Sequence, residues 1–177
     1  MVRAMLEELR PVGREPGVLL TRLNRDLTRI LRQTGQMIFV TAAYAVIDLA
    51  AGQLRYGQAG HPAPLRWRRP ENKIRRIGCT AEQAGPAIGL MHDFEFATCV
   101  EAWAPGDRLF LFTDGLSEVA SPAGEEFGEA RLIAALGRRA DEPLEVCLAG
   151  VIEEAGIFGH HHFADDVCVV AADCSEG

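Results

Sequence analysis

The stretch LFLFTDGLSEVASPAGEEFG, residues 109–128, poses the main question about this chain. A strand-like apolar run leads through Thr113 to Asp114 and Gly115 at its tip, and a helix-like segment follows. A carboxylate at the edge of a core costs free energy unless a cation pairs with it or water solvates it. Asp-Gly is also a common turn dipeptide, so a metal site and a solvated turn are both open at this point.

The same arrangement occurs again near the end of the chain, where Asp165 and Asp166 precede the apolar run VCVVAA. If this strand lies antiparallel beside the one that ends at Asp114, the tip of one adjoins the start of the other, and three carboxylates could converge. Such a group is repulsive without cations, and Mg²⁺ or Mn²⁺ suits carboxylate oxygen. Two such ions with a bridging water commonly hydrolyse phosphoesters. Taken alone, each motif favours a structural turn.

The composition fits one domain with a core of its own, since the 177 residues are 48% hydrophobic and 24% charged. No apolar run reaches the roughly 18 residues of a membrane span, and the first ten residues show no signal peptide. We therefore expect a cytoplasmic protein with no membrane partner. The five cysteines are odd in number and lack Cys-x-x-Cys spacing. We expect them to be reduced and buried rather than a disulfide framework or a zinc site.

Charge is unevenly spread along the chain. Residues 1–78 carry 14 Lys and Arg against 6 Asp and Glu, a net of +8, whereas residues 79–177 carry 4 against 19, a net of −15. An overall charge of −7 argues against general nucleic-acid binding. The asymmetry fits a cation site in the acidic half, a docking face in the basic half, or two solvated surfaces. The candidate docking residues are Arg66, Arg68, Arg69, Lys73, Arg75 and Arg76.

Periodicity predicts both helices and strands. Helices are expected at residues 2–9, 16–33, about 125–138 and 142–155. Strands are expected at 37–49, 54–60, 93–103, 108–113 and 165–172, with a hairpin formed by PLRWRR and KIRRI. Apolar residues at both parities predict that 38–47, 108–113 and 167–172 are central strands. Without regular βαβ alternation, this order predicts an α+β fold of mainly antiparallel sheet, with two packed sheets and helices outside them.

Four segments in order resemble the PPM family of metal-dependent protein phosphatases, in the bacterial branch typified by stage II sporulation protein E. They are FVTAAYAVIDLAAGQLRYGQAGHPAPL (39–65), GPAIGL (85–90), PGDRLFLFTDGLSEVASPAGEEFG (105–128) and ADDVCVV (164–170). The resemblance implies an αββα sandwich of two mainly antiparallel sheets flanked by helices. It also implies hydrolysis of phosphoserine or phosphothreonine on a protein, with two Mn²⁺ or Mg²⁺ ions. In that branch the substrate is often an anti-sigma-factor antagonist.

The resemblance also implies roles for the strand-end carboxylates. Asp114 and Asp165 match the family's metal-binding aspartates, and Asp166 is the neighbour that would support them. In the family a metal-activated water attacks phosphorus, so no Ser, Cys or His nucleophile is expected.

Three further residues are candidates for contact with the site or the substrate. Gly115 completes the Asp-Gly motif, and Glu118 follows four residues after Asp114, where it either helps the site or is a solvated or capping residue. His61 could approach the phosphate or orient a water, although a loop residue fixed by the neighbouring prolines is the more common role for such a histidine. The run GHHHF, residues 159–163, favours a flexible surface loop over a metal site.

The chain departs from the family in one important respect. The first metal motif of the family, Asp-x-x-Gly-His-Gly, supplies the bridging Asp, and it occurs nowhere in the 177 residues; the strands before it are absent too. A fragment, a misplaced start codon and a degenerate relative remain open. We expect residues 1–177 to be the C-terminal major part of one phosphatase domain, incomplete at its N-terminus. The alternative is a catalytically silent phosphatase-like module that binds partners or dimerises.

Overall fold

The computed structural model describes residues 2–33, 38–80 and 83–173, the side chain of Gln33 excepted. The expected end of the second helix at Gly35, and Cys174, lie outside these residues. The chain divides into two compact units, one comprising Met1–Ala63 and Gly78–Ala104, the other Pro64–Ile77 and Pro105–Gly177. Each contains an antiparallel sheet and helices, which confirms the α+β prediction of two antiparallel sheets flanked by helices.

The helices and strands follow the predicted order. The helices are α1 (Val2–Glu8), α2 (Pro16–Gln33), α3 (Asp114–Ser117), α4 (Gly128–Arg138) and α5 (Leu144–Phe158), with 3₁₀ turns at Arg10–Val12 and Arg69–Glu71. The strands are β1 (Ala42–Asp48), β2 (Gln53–Ala59), β3 (Leu65–Arg68), β4 (Lys73–Arg76), β5 (Cys99–Ala102), β6 (Arg108–Phe112) and β7 (Val169–Asp173). Within the described ranges, no helix is both long and apolar enough to cross a bilayer.

The first unit is built on α2 and the sheet β1-β2-β5. The leucines of α2 recur at helical spacing and form one buried face, as the sequence predicts. They pack in one cluster with Ala59, Ile88 and Phe96. The buried members from α2 are Leu19, Leu20, Leu23, Leu27 and Leu31.

The strand predicted at 93–103 is wrong over its first half, because only Cys99–Ala102 pairs with β2. Residues 94–98 instead hydrogen-bond to α2. The amide of Phe96 donates to Thr21 Oγ1 at 2.9 Å, and the amide of Gly17 donates to Thr98 Oγ1 at 2.9 Å. The alternating apolar residues that suggested a strand are thus explained by Phe94 and Phe96 packing toward the helix cluster.

The second unit contains the four-stranded sheet β4-β3-β6-β7 with α3, α4 and α5. The predicted β3–β4 hairpin is present, with Trp67 paired to Ile74. Trp67, Phe110 and Phe127 belong to one buried cluster that α4 and α5 also join through Leu132 and Val151.

The prediction of three central strands is correct only for β6, which pairs with both β3 and β7. Among the described residues, β1 and β7 each lie at an edge of their sheet. Their burial agrees with this position, because every residue of β1 is only half-buried and Val170 of β7 is 53% exposed. Apolar residues at both odd and even positions of a strand therefore do not distinguish a half-buried edge strand from a central strand.

The prediction that all cysteines are reduced and buried is also wrong. Cys79 and Cys99 form a disulfide, with their Cα atoms 5.8 Å apart. Among the cysteines that the structure describes, Cys168 is a free but exposed thiol, and only Cys147 is both free and buried. Burial raises the pKa of the Cys147 thiol, which keeps it protonated and unreactive. Sequence spacing did not reveal the disulfide because Cys79, which lies in no strand, and Cys99, which begins β5, are 20 positions apart and are brought together by the tertiary structure.

Candidate metal centre

Asp114 stands where the internal strand β6 turns into the short helix α3. Thr113 between them is extended, with φ −82° and ψ 154°. The Asp114 carboxylate is exposed, and its Oδ1 accepts a hydrogen bond from the Gly115 amide at 3.1 Å. Its backbone carbonyl accepts from the Glu118 amide at 2.8 Å and from Ser117 Oγ at 3.1 Å. The strand thus places this carboxylate in solvent at a fixed corner of the sheet.

Thr113 fastens the end of β6 to the segment before β7. Its amide donates to the Cys168 carbonyl at 2.9 Å, which extends the ladder between the two strands. Its hydroxyl donates to the Asp166 carbonyl at 2.9 Å and accepts from the Cys168 amide at 2.9 Å. Sequence reasoning did not single out Thr113, although a hydroxyl residue directly before the Asp-Gly pair was a visible signal.

Gly115 lies directly against the backbone of the second carboxylate motif. A Cβ at this position would come 2.6 Å from the Asp166 carbonyl oxygen and 3.2 Å from that of Asp165. The Asp114-Gly115 turn and the Asp165-Asp166 pair are therefore neighbours in space, as expected if their strands are antiparallel. Only glycine permits this approach, because it lacks a Cβ.

Asp165 and Asp166 are both exposed at this corner. Oδ1 of Asp165 accepts from the Asp166 amide at 2.7 Å, so one carboxylate is folded back onto its own turn. Among residues 2–33, 38–80 and 83–173, no group of three or more His, Cys, Asp or Glu side chains is placed to hold a metal ion. The three-carboxylate cluster is thus not found there, and a cation shared by Asp114 and Asp165 stays a prediction.

The donor chemistry of this corner nevertheless fits a hard divalent cation. Asp114 and Asp165 offer carboxylate oxygens from adjacent backbone segments that are held together by Thr113 and Gly115. Mg²⁺ is usually bound by one or two carboxylates and keeps several waters, so two exposed carboxylates suit one such ion.

The remaining candidates occupy different places in the fold. Glu118 follows α3 directly, and its exposed side chain lies in the second unit with Asp114. His61 belongs to the first unit, where its Nδ1 lies 3.5 Å from Thr41 Oγ1 and its carbonyl accepts from Gln58 Nε2 at 3.1 Å. These contacts agree with a loop residue, and a role for His61 toward a phosphate stays a prediction.

The basic set on β3 and β4 is not a uniform docking surface. Arg66 is buried, with its side chain 2% exposed, and its Nε donates to Asp107 Oδ2 at 3.1 Å. Arg69 and Arg76 are exposed but lie near carboxylates, 3.6 Å from Asp141 and 3.7 Å from Glu129, respectively. Arg66 must therefore be removed from the docking candidates, because it is part of the core.

Comparison with known proteins places the chain in a family. A family model described as stage II sporulation protein E (SpoIIE) matches residues 1–175. Protein IcfG of Synechocystis sp. is 35% identical over 116 residues, which cover 65% of this chain and 17% of IcfG. Phosphoserine phosphatase RsbP of Bacillus subtilis is 26% identical over 166 residues, which cover 91% of this chain and 38% of RsbP. The chain thus spans less than two fifths of the length of these relatives.

A solved structure shows the same fold. The SiaA-PP2C domain of Pseudomonas aeruginosa matches with a TM-score of 0.81 at 20% sequence identity, over 96% of this chain and 66% of that domain. At this identity the match supports the fold alone.

Proposed function

Because the chain belongs to the stage II sporulation protein E family, we propose that residues 1–177 form the C-terminal major part of a metal-dependent protein serine/threonine phosphatase domain. The observation that carries this proposal is the close approach of Gly115 to the Asp165-Asp166 backbone. It supports a single corner at which Asp114 and Asp165 act together. That corner is the place where the family resemblance puts the metal ligands.

In the proposed site, Asp114 and Asp165 hold Mn²⁺ or Mg²⁺, and Asp166 and Gly115 shape the turn around them. A cation held there would lower the pKa of a bound water and would neutralise charge on the phosphoryl oxygens. Thr113 holds the two carboxylate segments in register through its hydroxyl. Glu118 is placed one turn beyond Asp114, where it could orient water at the edge of the site.

The proposed substrate is a phosphoserine or phosphothreonine on a regulatory protein, met in the cytoplasm. An anti-sigma-factor antagonist is the first candidate, since the branch that this sequence resembles often acts on one. RsbP, which aligns with 91% of this chain, is a phosphoserine phosphatase by name.

One observation favours the second candidate function, a phosphatase-like module that is catalytically weak or silent and binds partners. The sequence lacks the Asp-x-x-Gly-His-Gly motif that supplies the bridging ligand in the resembling family. A single loosely held ion neutralises less charge and orients water poorly, which costs orders of magnitude in rate. These residues by themselves are then a weak or inactive phosphatase with millimolar-scale metal affinity, or a silent module that binds partners.

Self-association is part of this proposal. An apolar groove of about 220 Å³ is present in the first unit between α1, α2 and β1, and Leu6, Val40 and Tyr44 are among its lining residues. Phe39 beside it is 57% exposed, and β1 is an edge strand among the described residues. Unpaired strand edges and exposed apolar surface favour association, and sedimentation velocity would detect a dimer.

The deciding experiment measures Mn²⁺-dependent dephosphorylation of a phosphoserine protein. The 177-residue chain is compared with a version extended at its N-terminus to include an Asp-x-x-Gly-His-Gly sequence. We expect weak turnover from the short chain and robust turnover from the extended one, with both abolished by Asp114→Asn. The control is Asp141→Asn, which removes another exposed carboxylate of the second unit.

Two outcomes would contradict parts of the proposal. Robust turnover by the short chain, lost on Asp114→Asn, would show that another residue replaces the bridging ligand. An extended chain that binds Mn²⁺ but turns over no phosphoprotein would favour the silent module.

A further inference from the structure

The Cys79–Cys99 disulfide joins an irregular segment to a sheet strand. Cys99 begins β5 and is paired with Tyr56 of β2, so its backbone is fixed in the ladder. Cys79 follows β4 and belongs to no strand. The two are 20 positions apart, and the described residues between them, 80 and 83–98, form neither a helix nor a named strand. The cross-link therefore closes a loop that has little regular structure of its own.

Part of this loop, residues 85–92, is attached to the rest of the first unit by a few hydrogen bonds and by Ile88, which is buried in the cluster of the α2 leucines. Asn24 of α2 is 1% exposed, and its Nδ2 donates to the Met91 carbonyl at 2.8 Å. Its Oδ1 accepts from the Gly89 amide at 3.0 Å. Ile88 exchanges two backbone hydrogen bonds with Val40, at 2.8 and 2.9 Å.

The same loop supports the backbone that precedes His61. The amide of Gly60 donates to the Gly85 carbonyl at 2.8 Å. Gly60 has a positive φ of 65°, and a Cβ there would come 2.8 Å from the Ala87 amide nitrogen. The position of this turn thus depends on residues 85–87 staying in place.

We propose that Cys79 and Cys99 are a reversible redox clamp on residues 85–92. With the disulfide formed, the loop is closed and few arrangements compete with the observed one. With two thiols, residues 85–92 keep their hydrogen bonds and the packing of Ile88 against the α2 leucines but lose the covalent closure. They then open more often, and the Gly60–His61 turn opens with them. Any effect of this opening on phosphate hydrolysis rests on the proposed function, but the clamp itself does not.

The exposure of the two sulfurs decides how the exchange proceeds. Cys79 is half-buried, whereas Cys99 is 8% exposed. A thiolate such as that of glutathione attacks the Cys79 sulfur, and Cys99 leaves as the thiolate. A second glutathione thiolate then attacks the glutathione sulfur of the mixed disulfide, and Cys79 leaves as the thiolate. The products are two protein thiols and glutathione disulfide, so two electrons pass from glutathione to the protein. The reverse reaction forms the clamp from the same reagents.

The test equilibrates the full 177-residue chain in buffers of varied glutathione to glutathione disulfide ratio. Mass spectrometry after alkylation and digestion measures how much of the peptide containing Cys79 is linked to the one containing Cys99. Hydrogen exchange is measured on the same samples at Gly60, Ile88 and Gly89. We expect these amides to exchange at least tenfold faster in the reduced chain, while Phe110 in the second unit changes little.

Matched variants separate the clamp from general thiol effects. Cys79→Ser in oxidising buffer should show the fast exchange of the reduced chain, and Cys99→Ser should do the same. Cys168→Ser, which removes an exposed thiol, should keep both the linkage and the slow exchange. If a serine variant fails to fold, reduction of the unaltered chain still gives the comparison. The absence of linkage at every ratio, or equal exchange in the oxidised and reduced chains, would overturn the proposal.

Discussion

Gly115 and Asp166 approach so closely that a Cβ on Gly115 would lie 2.6 Å from the Asp166 carbonyl oxygen. The two residues are 51 positions apart in the chain, and each adjoins a candidate metal ligand. Their contact therefore carries the spatial argument for the candidate centre. It also predicts that adding a single methyl group at Gly115 will separate the Asp114-Gly115 turn from the Asp165-Asp166 segment.

Gly115→Ala should destabilise the second unit by about 1–3 kcal/mol, because the new methyl group meets backbone that cannot rotate away. Mn²⁺ binding should weaken in the same variant, since Asp114 and Asp165 are pushed apart. The control is Gly137→Ala in α4, where nothing lies within 4 Å of an added Cβ. That change should stabilise the chain by about 0.5–1 kcal/mol. Urea unfolding and Mn²⁺ titration check both variants, and equal stability of the two would contradict the close contact.

Thr113→Val should loosen the corner while keeping the shape of the side chain. The loss of the hydroxyl leaves the Cys168 amide and the Asp166 carbonyl without this partner, at a cost of about 1–3 kcal/mol. We also expect a weaker Mn²⁺ affinity, because the Asp165–Asp166 segment is no longer fixed to β6. Thr113→Ser retains the hydroxyl and should restore most of the affinity. A Thr113→Val variant that keeps the stability and the Mn²⁺ affinity of the unaltered chain would show that the hydroxyl bonds do not fix this segment.

The buried pair of Arg66 and Asp107 should be far more important for stability than the exposed ion pairs on the same unit. Their side chains are 2% and 0% exposed. Asp107→Ala removes this carboxylate from a buried guanidinium, which typically costs about 3–5 kcal/mol. Asp141→Ala, which breaks an exposed pair with Arg69, should cost less than about 1 kcal/mol. Denaturant unfolding of the two variants gives the comparison.

A double variant tests whether the unpaired charge explains the loss of stability when the Arg66–Asp107 pair is broken. Arg66→Met combined with Asp107→Leu should recover most of the stability that Asp107→Ala loses, because no buried charge remains without its partner. Failure of the double variant to recover any stability would show that shape, and not charge pairing, dominates at this position.

The ion pair between α4 and α5 should make stability depend on pH. Burial by itself would raise the pKa of Glu154, but hydrogen bonds and charges from Arg138 and Arg139 outweigh it and lower the pKa. A carboxyl whose folded-state pKa is lowered stabilises the fold above its unfolded pKa of about 4.5, and that stabilisation is lost as pH falls through the folded-state value. Glu154→Gln should therefore cost about 0.5–1 kcal/mol at pH 7, and this cost should decline as the pH falls below the unfolded pKa of about 4.5.

The measurement is urea unfolding of the unaltered chain and of Glu154→Gln between pH 3 and pH 7. Glu153→Gln serves as the control, because Glu153 is an exposed neighbour on the same helix. A stability difference for Glu154→Gln that does not change with pH would exclude this ionisation as its cause.

Local sequence patterns were sufficient to predict features that are set within a single helix, strand or hairpin. The leucine spacing of α2 predicted its buried face, and the β3–β4 hairpin was predicted from two short runs around a turn. The placement of Asp114 beside an apolar run correctly predicted that it follows a strand, whereas the strand predicted from Asp165 begins only at Val169. These features depend on contacts within a few residues, which periodicity reports directly.

The tertiary structure alone decided the features that join distant segments. The edge positions of β1 and β7, the attachment of residues 94–98 to α2, and the Cys79–Cys99 disulfide each depend on pairing between separate parts of the chain. The role of Thr113 is similar, since its hydroxyl contacts residues more than 50 positions away. Periodicity determines which face of an element is apolar, but it carries no information about which element covers that face, because that choice is made by packing over the whole unit.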